Sequence, residues 1–183
     1  MMKRVIIVKN NNCENIIEKC NRCSISCNQK PLVENMRKSD IMFLGISAKM
    51  KETEDEMPLS ENTNSGKLIK MIEERLLKED NNISCYRSNM VKCVPLDEKG
   101  KIRYPNIWEI ENCIDNLVYE LSIVKPKVVV LLGRLVEKHL KKKIIEFGYN
   151  TITIYHPSYI HVYRKKEIEK YVEESSKNIL KYV

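Results

Sequence analysis

The sequence of this 183-residue chain predicts an α/β fold, a three-layer sandwich around a central, mostly parallel four-stranded sheet. Short apolar runs rich in β-branched residues alternate with amphipathic helical segments, which is the pattern of strands joined by helices. The clearest run, residues 127–132 (KVVVLL), is apolar at nearly every position, as in a parallel strand buried on both faces. No repeat, low-complexity tract or Pro/Gly-rich linker interrupts the alternation.

Five segments have strand character, and the last four of them form the predicted sheet. Residues 40–46 (DIMFLGI) are a compact apolar run, and residues 151–155 (TITIY) alternate as a strand does. The predicted strands are residues 4–8, 40–46, 84–91, 127–132 and 151–155.

Helices are predicted between these strands. Residues 107–123 have the strongest start signal, because Asn106 is a suitable N-cap, Glu109 stands three residues later and Pro105 precedes. Residues 65–77 carry an apolar face of Leu68, Ile69, Ile72 and Leu76. Two further segments, residues 135–142 and 166–182, complete the set.

Composition excludes some classes of protein. Hydrophobic residues make up 43% and charged residues 31%, and no apolar run approaches the roughly 20 residues of a membrane span. The first nine residues are too short and too charged for a signal peptide, so we expect a cytoplasmic location and no membrane partner. The net charge of +7 suits a polyanion such as nucleic acid, although a lysine-rich solubilising surface explains it equally simply.

Cysteine usage points to metal or to free thiols. Seven cysteines in a reducing compartment argue against a disulfide framework. Cys20 and Cys23 form a C-x2-C pair, while Cys93 and Cys113 lie far along the chain. Four thiolates suit either zinc or an iron–sulfur cluster. Such a site would tie an N-terminal arm, residues 1–39, to the body of the domain.

Ligands of open parallel sheets bind beyond the carboxyl ends of the strands. The segments at those ends are residues 45–49, 89–95, 133–134 and 156–160. His156 follows one strand, and Pro157 biases it away from helical geometry, although an exposed loop histidine is an equal alternative. Asn89 carries a donor and an acceptor that suit a base edge, or it is a turn or capping residue.

Taken in order, these motifs resemble the iron–sulfur branch, families 4 and 5, of the uracil-DNA glycosylase superfamily. The resemblance covers nearly the whole chain. It rests on the early C-x2-C pair, a Gly-Ile-Ser-Ala motif at residues 45–48, a helix start at residues 64–68, an Asn–Cys–Pro segment at residues 89–95 and a His-Pro-Ser motif at residues 156–158. Pro58 stands thirteen positions after Gly45, and Cys113 follows Pro105 and Glu109 as in the family pattern.

The resemblance implies a monofunctional DNA glycosylase of base excision repair, one domain over residues 1–183. Such an enzyme flips uracil or another deaminated base from damaged DNA and hydrolyses its N-glycosidic bond. His156 would stabilise the anion on the departing base, and Asn89 would recognise the base. The implied base pocket consists of Gly45, Ile46, Ser47, Ala48 and Leu59.

The resemblance also implies a cofactor and an oligomeric state. Cys20, Cys23, Cys93 and Cys113 would hold a [4Fe–4S] cluster, with zinc as the alternative metal. Cys27 is an alternative ligand, and Cys13 and Cys85 are expected to be free buried thiols. The family's habit implies a monomer.

The implied DNA contacts follow the His-Pro-Ser motif. Ser158, Tyr159 and Arg164 would face DNA, with Tyr159 or Ile160 as the wedge that fills the gap left by the flipped base and residues 164–166 near phosphates. Alternatively, Tyr159 and Ile160 belong to the core and the basic run begins the last helix. Ser65 at a helix start suits a phosphate, or is a plain helix cap.

Two residues depart from the family pattern. Ile46 stands where family 4 has an acid, whereas family 5 is apolar there but usually lacks the asparagine at the position of Asn89. Leu59 replaces an aromatic residue that stacks on the base. A carboxylate from the acidic run at residues 52–56 is a candidate replacement for the acid, and a solvated loop is the alternative explanation of that run. The alternatives to an active glycosylase are a catalytically silent nucleic-acid-binding protein of the same fold and an unrelated zinc-stabilised α/β module.

Overall fold

The computed structural model describes residues 16–53 and 55–183. The predicted strand at residues 4–8 and Cys13 lie outside the described residues, as does Glu54. Within the described part, no helix is long and apolar enough to cross a membrane.

Four parallel strands form the central sheet, as predicted. They are β1 (Ile41–Ser47), β2 (Cys85–Val91), β3 (Val128–Leu132) and β4 (Asn150–Ile154), each within one residue of its predicted bounds. Their order in the sheet is β2-β1-β3-β4, and every pair is parallel. The carboxyl ends of all four strands therefore lie at one edge of the sheet.

Helices cover both faces of this sheet and complete the three layers. They are α1 (Asn64–Glu79), α2 (Ile107–Val124), α3 (Arg134–Glu146), α4 (Pro157–Tyr163) and α5 (Ile168–Leu180). Because side chains alternate along a strand, Met42 and Leu44 pack with α2 and α3, whereas Ile41 and Phe43 pack with α1 and α5. The three-layer α/β sandwich is confirmed.

The start of α2 follows its sequence signal. The Asn106 side chain accepts a hydrogen bond from the backbone N–H of Glu109, and the Glu109 side chain accepts one from the backbone N–H of Asn106. This capping box orients a helix that carries Cys113 and, two turns later, Glu120.

The last predicted helix, residues 166–182, is present as α5, but the sequence did not indicate the helix that precedes it. A separate helix, α4, begins directly after His156, and a 3-10 turn, Lys165–Glu167, connects it to α5. The break lies at Arg164, whose backbone (φ −134°, ψ 36°) is not helical. Pro157 occupies the first turn of α4, where a residue without an N–H is tolerated.

The N-terminal arm, as far as it is described, lies along the edge of β2. The backbone N–H of Leu32 donates to the carbonyl of Lys92 at 2.7 Å, and a carboxylate oxygen of Glu34 accepts from the N–H of Arg87 at 2.9 Å. Leu32 and Val33 are buried. The arm thereby covers an exposed sheet edge and brings the C-x2-C pair toward α2.

Candidate active site

A cavity of about 410 Å³ opens at the carboxyl ends of β1 and β2. We call it the strand-end cavity. It brings together eight of the residues that the sequence singled out, and these are Gly45, Ile46, Ser47, Ala48, Leu59, Ser65, Asn89 and His156. Their convergence follows from the parallel topology, which places successive strand ends side by side.

Asn89 supplies the cavity with a buried amide. It is 3% exposed, and its side chain makes no hydrogen bond within the described part of the chain. Gly45 is its neighbour across the β1–β2 pair, and a Cβ at Gly45 would lie 2.4 Å from Asn89 Oδ1. Glycine at this position therefore makes the room in which the amide sits, and a buried amide without a partner is available to a ligand.

A buried ion pair supports Asn89 from behind. Lys92 and Glu120 pair with both side chains 0% exposed. The Lys92 ammonium also donates to the carbonyl of Asn89 at 2.7 Å and to Ser88 Oγ at 2.6 Å, and Tyr86 OH donates to Glu120 Oε1 at 2.8 Å. The network ties the end of β2 to α2 and satisfies both buried charges.

His156 lies at the N-cap of α4, with its ring at the cavity wall. The backbone N–H of Ser158 donates to His156 Nδ1 at 3.2 Å, and Ser158 Oγ lies 2.7 Å from the same nitrogen. Because Nδ1 accepts a hydrogen bond, the proton of the neutral ring is on Nε2. Burial, and then the charge of Lys49, lower the pKa of His156 below its usual value of 6.5. The side chain is therefore a neutral N–H donor at neutral pH.

Gly133 permits the close approach of His156. It has φ +92°, a conformation that L side chains rarely adopt, and a Cβ there would lie 2.9 Å from His156 Cβ. The turn after β3 therefore packs against His156, which follows β4 and precedes α4. Gly133 was noted in the sequence only as a strand end.

Leu59 lines the cavity in a strained backbone conformation. Its φ is +54°, in the left-handed region that a branched side chain rarely occupies. Arg87 donates to the Leu59 carbonyl at 3.0 Å and also pairs with Glu73 on α1, so buried charge holds the turn in place. Strain that is held in this way is concentrated at functional sites.

Sequence reasoning missed part of the cavity wall. A loop after β2 contributes residues without a motif, Ile102, Arg103 and Tyr104, and the arm contributes Leu32. Of the acidic loop after β1, Glu56 lines the cavity, and its Oε2 accepts from the backbone N–H of Glu52 at 2.8 Å. Only tertiary structure distinguishes Glu56 from its acidic neighbours.

The start of α1 differs from the alternative in which Ser65 is a plain helix cap. Thr63, not Ser65, is the N-cap, and its Oγ1 accepts from the backbone N–H of Gly66 at 3.0 Å. Ser65 is buried and lines the strand-end cavity. Its proposed phosphate contact stays a prediction.

The residues after His156 divide between core and surface. Ile160 is 1% exposed and packs in the core with α1 and α5, so a wedge at Ile160 is wrong for this structure. Tyr159 and Ser158 are exposed. Arg164 pairs with Glu167 and lies over the ring of Tyr155. DNA contacts by Ser158, Tyr159 and Arg164 stay predictions.

The four cysteines of the predicted metal site gather between the arm and α2. The amide of Asn116 donates to Cys20 Sγ at 3.4 Å and to Cys113 Sγ at 3.7 Å, so the two sulfurs share one donor. Burial, and then the charges of Cys113, Cys23 and Cys20, raise the pKa of Cys93 to about 12. Ionising all four side chains together would therefore require a bound cation.

The sulfur environment fits a cluster. Backbone and side-chain N–H groups donate hydrogen bonds to the sulfurs. The backbone N–H of Lys92 donates to Cys113 Sγ at 3.4 Å, and Arg22 Nε donates to Cys20 Sγ at 3.5 Å. Burial tends to raise the pKa of Cys20, but hydrogen bonds from Arg22 and Asn116 outweigh it and the pKa is lowered. Such hydrogen bonds are the means by which proteins stabilise iron–sulfur clusters.

Cys20, Cys23, Cys93 and Cys113 stay the predicted ligands of a metal. Four thiolates suit either a zinc ion or a [4Fe–4S] cluster. Among the described residues, no three Cys, His, Asp or Glu side chains are grouped so that they could hold a metal ion as they are placed.

The two other described cysteines, Cys27 and Cys85, are not part of the predicted metal site. Cys27 is exposed in the arm. Cys85 is the first residue of β2, at the end of the strand opposite to Asn89. It is partly buried, and burial raises its pKa to about 12. All six described cysteines are free thiols.

Known proteins are similar to this chain in sequence and in fold. The profile of the Uracil DNA glycosylase superfamily matches residues 33–179. The Type-4 uracil-DNA glycosylase of Sulfurisphaera tokodaii is 32% identical over 153 residues, which cover 82% of this chain and 65% of that relative. The Type-4 uracil-DNA glycosylase of Archaeoglobus fulgidus is 28% identical over 184 residues, covering 88% of this chain and 87% of the relative.

The fold agrees with these sequence matches. The crystal structure of SMUG2 from Pedobacter heparinus superimposes with a TM-score of 0.56 at 18% identity, covering 77% of this chain and 74% of that chain. The chain spans less than two thirds of the length of the Sulfurisphaera relative. Because the superfamily profile matches most of its residues, the chain belongs to the uracil-DNA glycosylase superfamily.

Proposed function

We propose that the protein is a monofunctional DNA glycosylase that flips uracil or another deaminated base out of DNA and hydrolyses its N-glycosidic bond. One observation carries the proposal: the unpartnered amide of Asn89 and the imidazole of His156 line the same strand-end cavity. Membership of the superfamily and the names of the two Type-4 relatives support it.

Asn89 would read the base. Deaminated bases present a carbonyl beside a ring N–H, and a side-chain amide offers the complementary donor and acceptor. The Asn89 side chain is almost wholly enclosed by the walls of the cavity, and the ion pair behind it holds its backbone carbonyl in place. A base lacking this edge would leave the buried amide unpaired, which is the strongest form of discrimination available to such a pocket.

His156 would stabilise the leaving group. Breaking the N-glycosidic bond places negative charge on the base and positive charge on the sugar. The Nε2–H of the neutral ring would donate to the base oxygen on which negative charge develops, and the donor is oriented in advance by its cap on α4. Release of the base and addition of water to the sugar leave an abasic site.

Glu56 is our candidate for holding the attacking water. Ile46 cannot accept a proton, and Glu56 supplies a carboxylate within the described lining of the same cavity. A carboxylate also stabilises the positive charge that develops on the sugar. This assignment gives the acidic loop a role beyond solvation.

The four gathered cysteines would hold a [4Fe–4S] cluster, whose contribution is to clamp the arm, the end of β2 and α2 together. We further propose that the enzyme acts in the cytoplasm as a monomer.

The experiment is an excision assay on oligonucleotides that carry a single uracil, hypoxanthine or xanthine, followed by alkaline cleavage of abasic sites. We expect strand breaks with at least one base, and a loss of about 10²–10³-fold in rate for His156→Ala, the scale of one transition-state donor. His139→Ala on α3 is the matched control. An intact strand with every base, at enzyme excess, would overturn the proposal.

A second candidate function is a catalytically silent protein that binds damaged DNA. Ile46 and Leu59 favour it, because both stand in the cavity where an acid and an aromatic ring are expected. Retained binding of damaged DNA together with no excision in the same assay would select this alternative.

A further inference from the structure

We propose that Lys49 is a further catalytic residue, whose ammonium stabilises the negative charge that develops on the departing base. The inference rests on the proposed function, because it assigns a role within the same reaction. No motif marks Lys49 in the sequence, where it is only the last residue of the strand-end segment 45–49.

Lys49 brings an unpaired positive charge to the wall of the strand-end cavity, which it lines together with Asn89 and His156. The other cation of the described lining, Arg103, is neutralised, because it donates two hydrogen bonds to the carboxylate of Glu109 at 2.9 and 2.5 Å. Within the described part of the chain, the Lys49 ammonium makes neither an ion pair nor a hydrogen bond. Its charge is therefore available to a ligand of the cavity.

The backbone on both sides of Lys49 is held in place. The N–H of Ala48 donates to the carbonyl of Val91 at 3.0 Å, so pairing between β1 and β2 continues up to the residue before Lys49. Gln29 of the arm donates through its side chain to the Lys49 carbonyl at 3.2 Å, and it accepts from the backbone N–H of Lys51 at 2.7 Å. The Lys49 side chain therefore starts from a fixed point on the cavity wall.

The charge of Lys49 acts on the region of the cavity where His156 lies. After burial, that charge is the second cause of the lowered pKa of His156. A cation that disfavours positive charge on this ring favours negative charge on a base that the ring contacts. His156 would donate a hydrogen bond to the base, and Lys49 would supply the opposing charge.

The cavity keeps a cation and a carboxylate apart. Lys49 and Glu56 both line it, and within the described structure they do not pair with each other. The reaction separates charge in the same way, because the electron pair of the N-glycosidic bond leaves with the base and the sugar carbon becomes positive until water adds. Glu56 suits the sugar and Lys49 suits the base. DNA in the cavity would exclude water and strengthen both interactions.

Lys49 would act by charge and not as an acid. The base anion takes its proton from water after the bond has broken, so the ammonium keeps its own protons throughout. A DNA phosphate is the other anion that an exposed lysine would contact. The effect of Lys49 on the His156 ring favours the base, and the experiments below distinguish the two anions.

The first experiment measures single-turnover excision of uracil at saturating enzyme. We expect Lys49→Gln to lower the rate about 10-fold, the scale of one charge in a partly solvated site, whereas Lys49→Arg keeps the charge and most of the rate. Fluorine stabilises the base anion, so the loss for 5-fluorouracil should be smaller than the loss for uracil. Lys51→Gln, which removes an equal charge from the same loop but not from the described cavity lining, is the matched control.

The second experiment needs no excision. Calorimetry at mildly alkaline pH compares free 5-fluorouracil, which is then largely an anion, with free uracil, which is largely neutral. We expect Lys49→Gln to weaken binding of the 5-fluorouracil anion about 10-fold and to leave binding of uracil unchanged.

Three outcomes would overturn the inference. They are an unchanged excision rate at saturation with weaker binding of undamaged duplex, which would indicate a phosphate contact, equal losses for the two free bases, and equal losses in Lys49→Gln and Lys51→Gln. A protein that excises no base but loses anion binding in Lys49→Gln would refute the glycosylase and retain the charge assignment. Normal excision by Lys49→Gln would do the reverse.

Discussion

His156 combines three properties in one side chain. It lies two residues beyond the end of β4, it caps α4, and its Nδ1 accepts a hydrogen bond from the backbone N–H of Ser158. The cap determines the tautomer, and burial together with Lys49 keeps the ring neutral. Each property comes from a neighbour rather than from the imidazole itself, which explains why a histidine in an isolated loop would not serve.

The lowered pKa of His156 predicts the acid limb of the pH profile. The neutral ring is the active form, and burial disfavours the imidazolium, so half-protonation occurs below pH 6.5. We expect kcat/KM for excision to remain high at pH 6.5 and to fall only as the pH drops further. Single-turnover rates across pH 5–8 measure this, and a limb centred above pH 6.5 would contradict it.

The position of Glu56 in the strand-end cavity predicts that its carboxylate contributes to the excision rate. Glu56→Gln removes the carboxylate but keeps its size, so we expect kcat to fall by about 10²-fold while substrate binding is retained. Glu52→Gln, on the same loop, is the matched control. Equal excision rates for the two variants would show that the Glu56 carboxylate has no part in catalysis and that the acidic loop is only a solvated surface loop.

At the scale of elements, the end of β2 is attached to α2 at two points. Lys92 donates through its backbone N–H to Cys113 Sγ and through its ammonium to Glu120. Cys113 and Glu120 lie two turns apart on α2 and face the same strand. The helix α2 therefore connects the cysteine site with the Lys92–Glu120 ion pair that holds the backbone of Asn89.

Breaking the buried pair and replacing it should have different consequences. Glu120→Ala leaves the Lys92 charge buried and unpaired, and we expect the free energy of unfolding to fall by about 3–5 kcal/mol. The double variant Lys92→Met/Glu120→Leu removes both charges and should recover most of this loss, yet excise slowly because the Asn89 carbonyl loses its donor.

Denaturant unfolding and excision rates measure the two consequences separately. A double variant with wild-type excision would show that the ion pair has only a structural role. Equal instability of the single and double variants would show that the two charges do not compensate each other.

At the scale of the whole molecule, the cysteine site closes the chain on itself. Cys20 and Cys23 come from the arm, Cys93 from the segment after β2 and Cys113 from α2. A group bound to all four would join regions almost a hundred residues apart in sequence, and such closures stabilise mainly by restricting the unfolded chain.

Anaerobically purified protein is therefore expected to be brown, with about four iron atoms per chain. Cys113→Ser should lose both colour and iron and unfold at lower temperature. Cys27→Ser, which changes an exposed cysteine of the same arm, should keep them. Metal analysis measures this, and colourless protein with stoichiometric zinc would overturn the cluster.

The sequence by itself determined the fold class and the strand-end residues. Buried parallel strands are apolar throughout, so β1 and β3 stand out locally, and parallel topology then requires their ends to meet. The sequence alone therefore assigns Gly45, Asn89 and His156 to one edge of the sheet. The capping box of α2 was equally local, because all its atoms lie within four residues.

Only the tertiary structure decided the features that depend on distant contacts. The Lys92–Glu120 pair joins residues 28 positions apart, and nothing local marks either as buried. Glu56 is one acid among several until the loop folds over the cavity. The sequence did not indicate α4, which has only seven residues and ends at Arg164, where the backbone is not helical. Local chemistry specifies elements and their ends, whereas burial and pairing between elements arise only when the sheet brings them together.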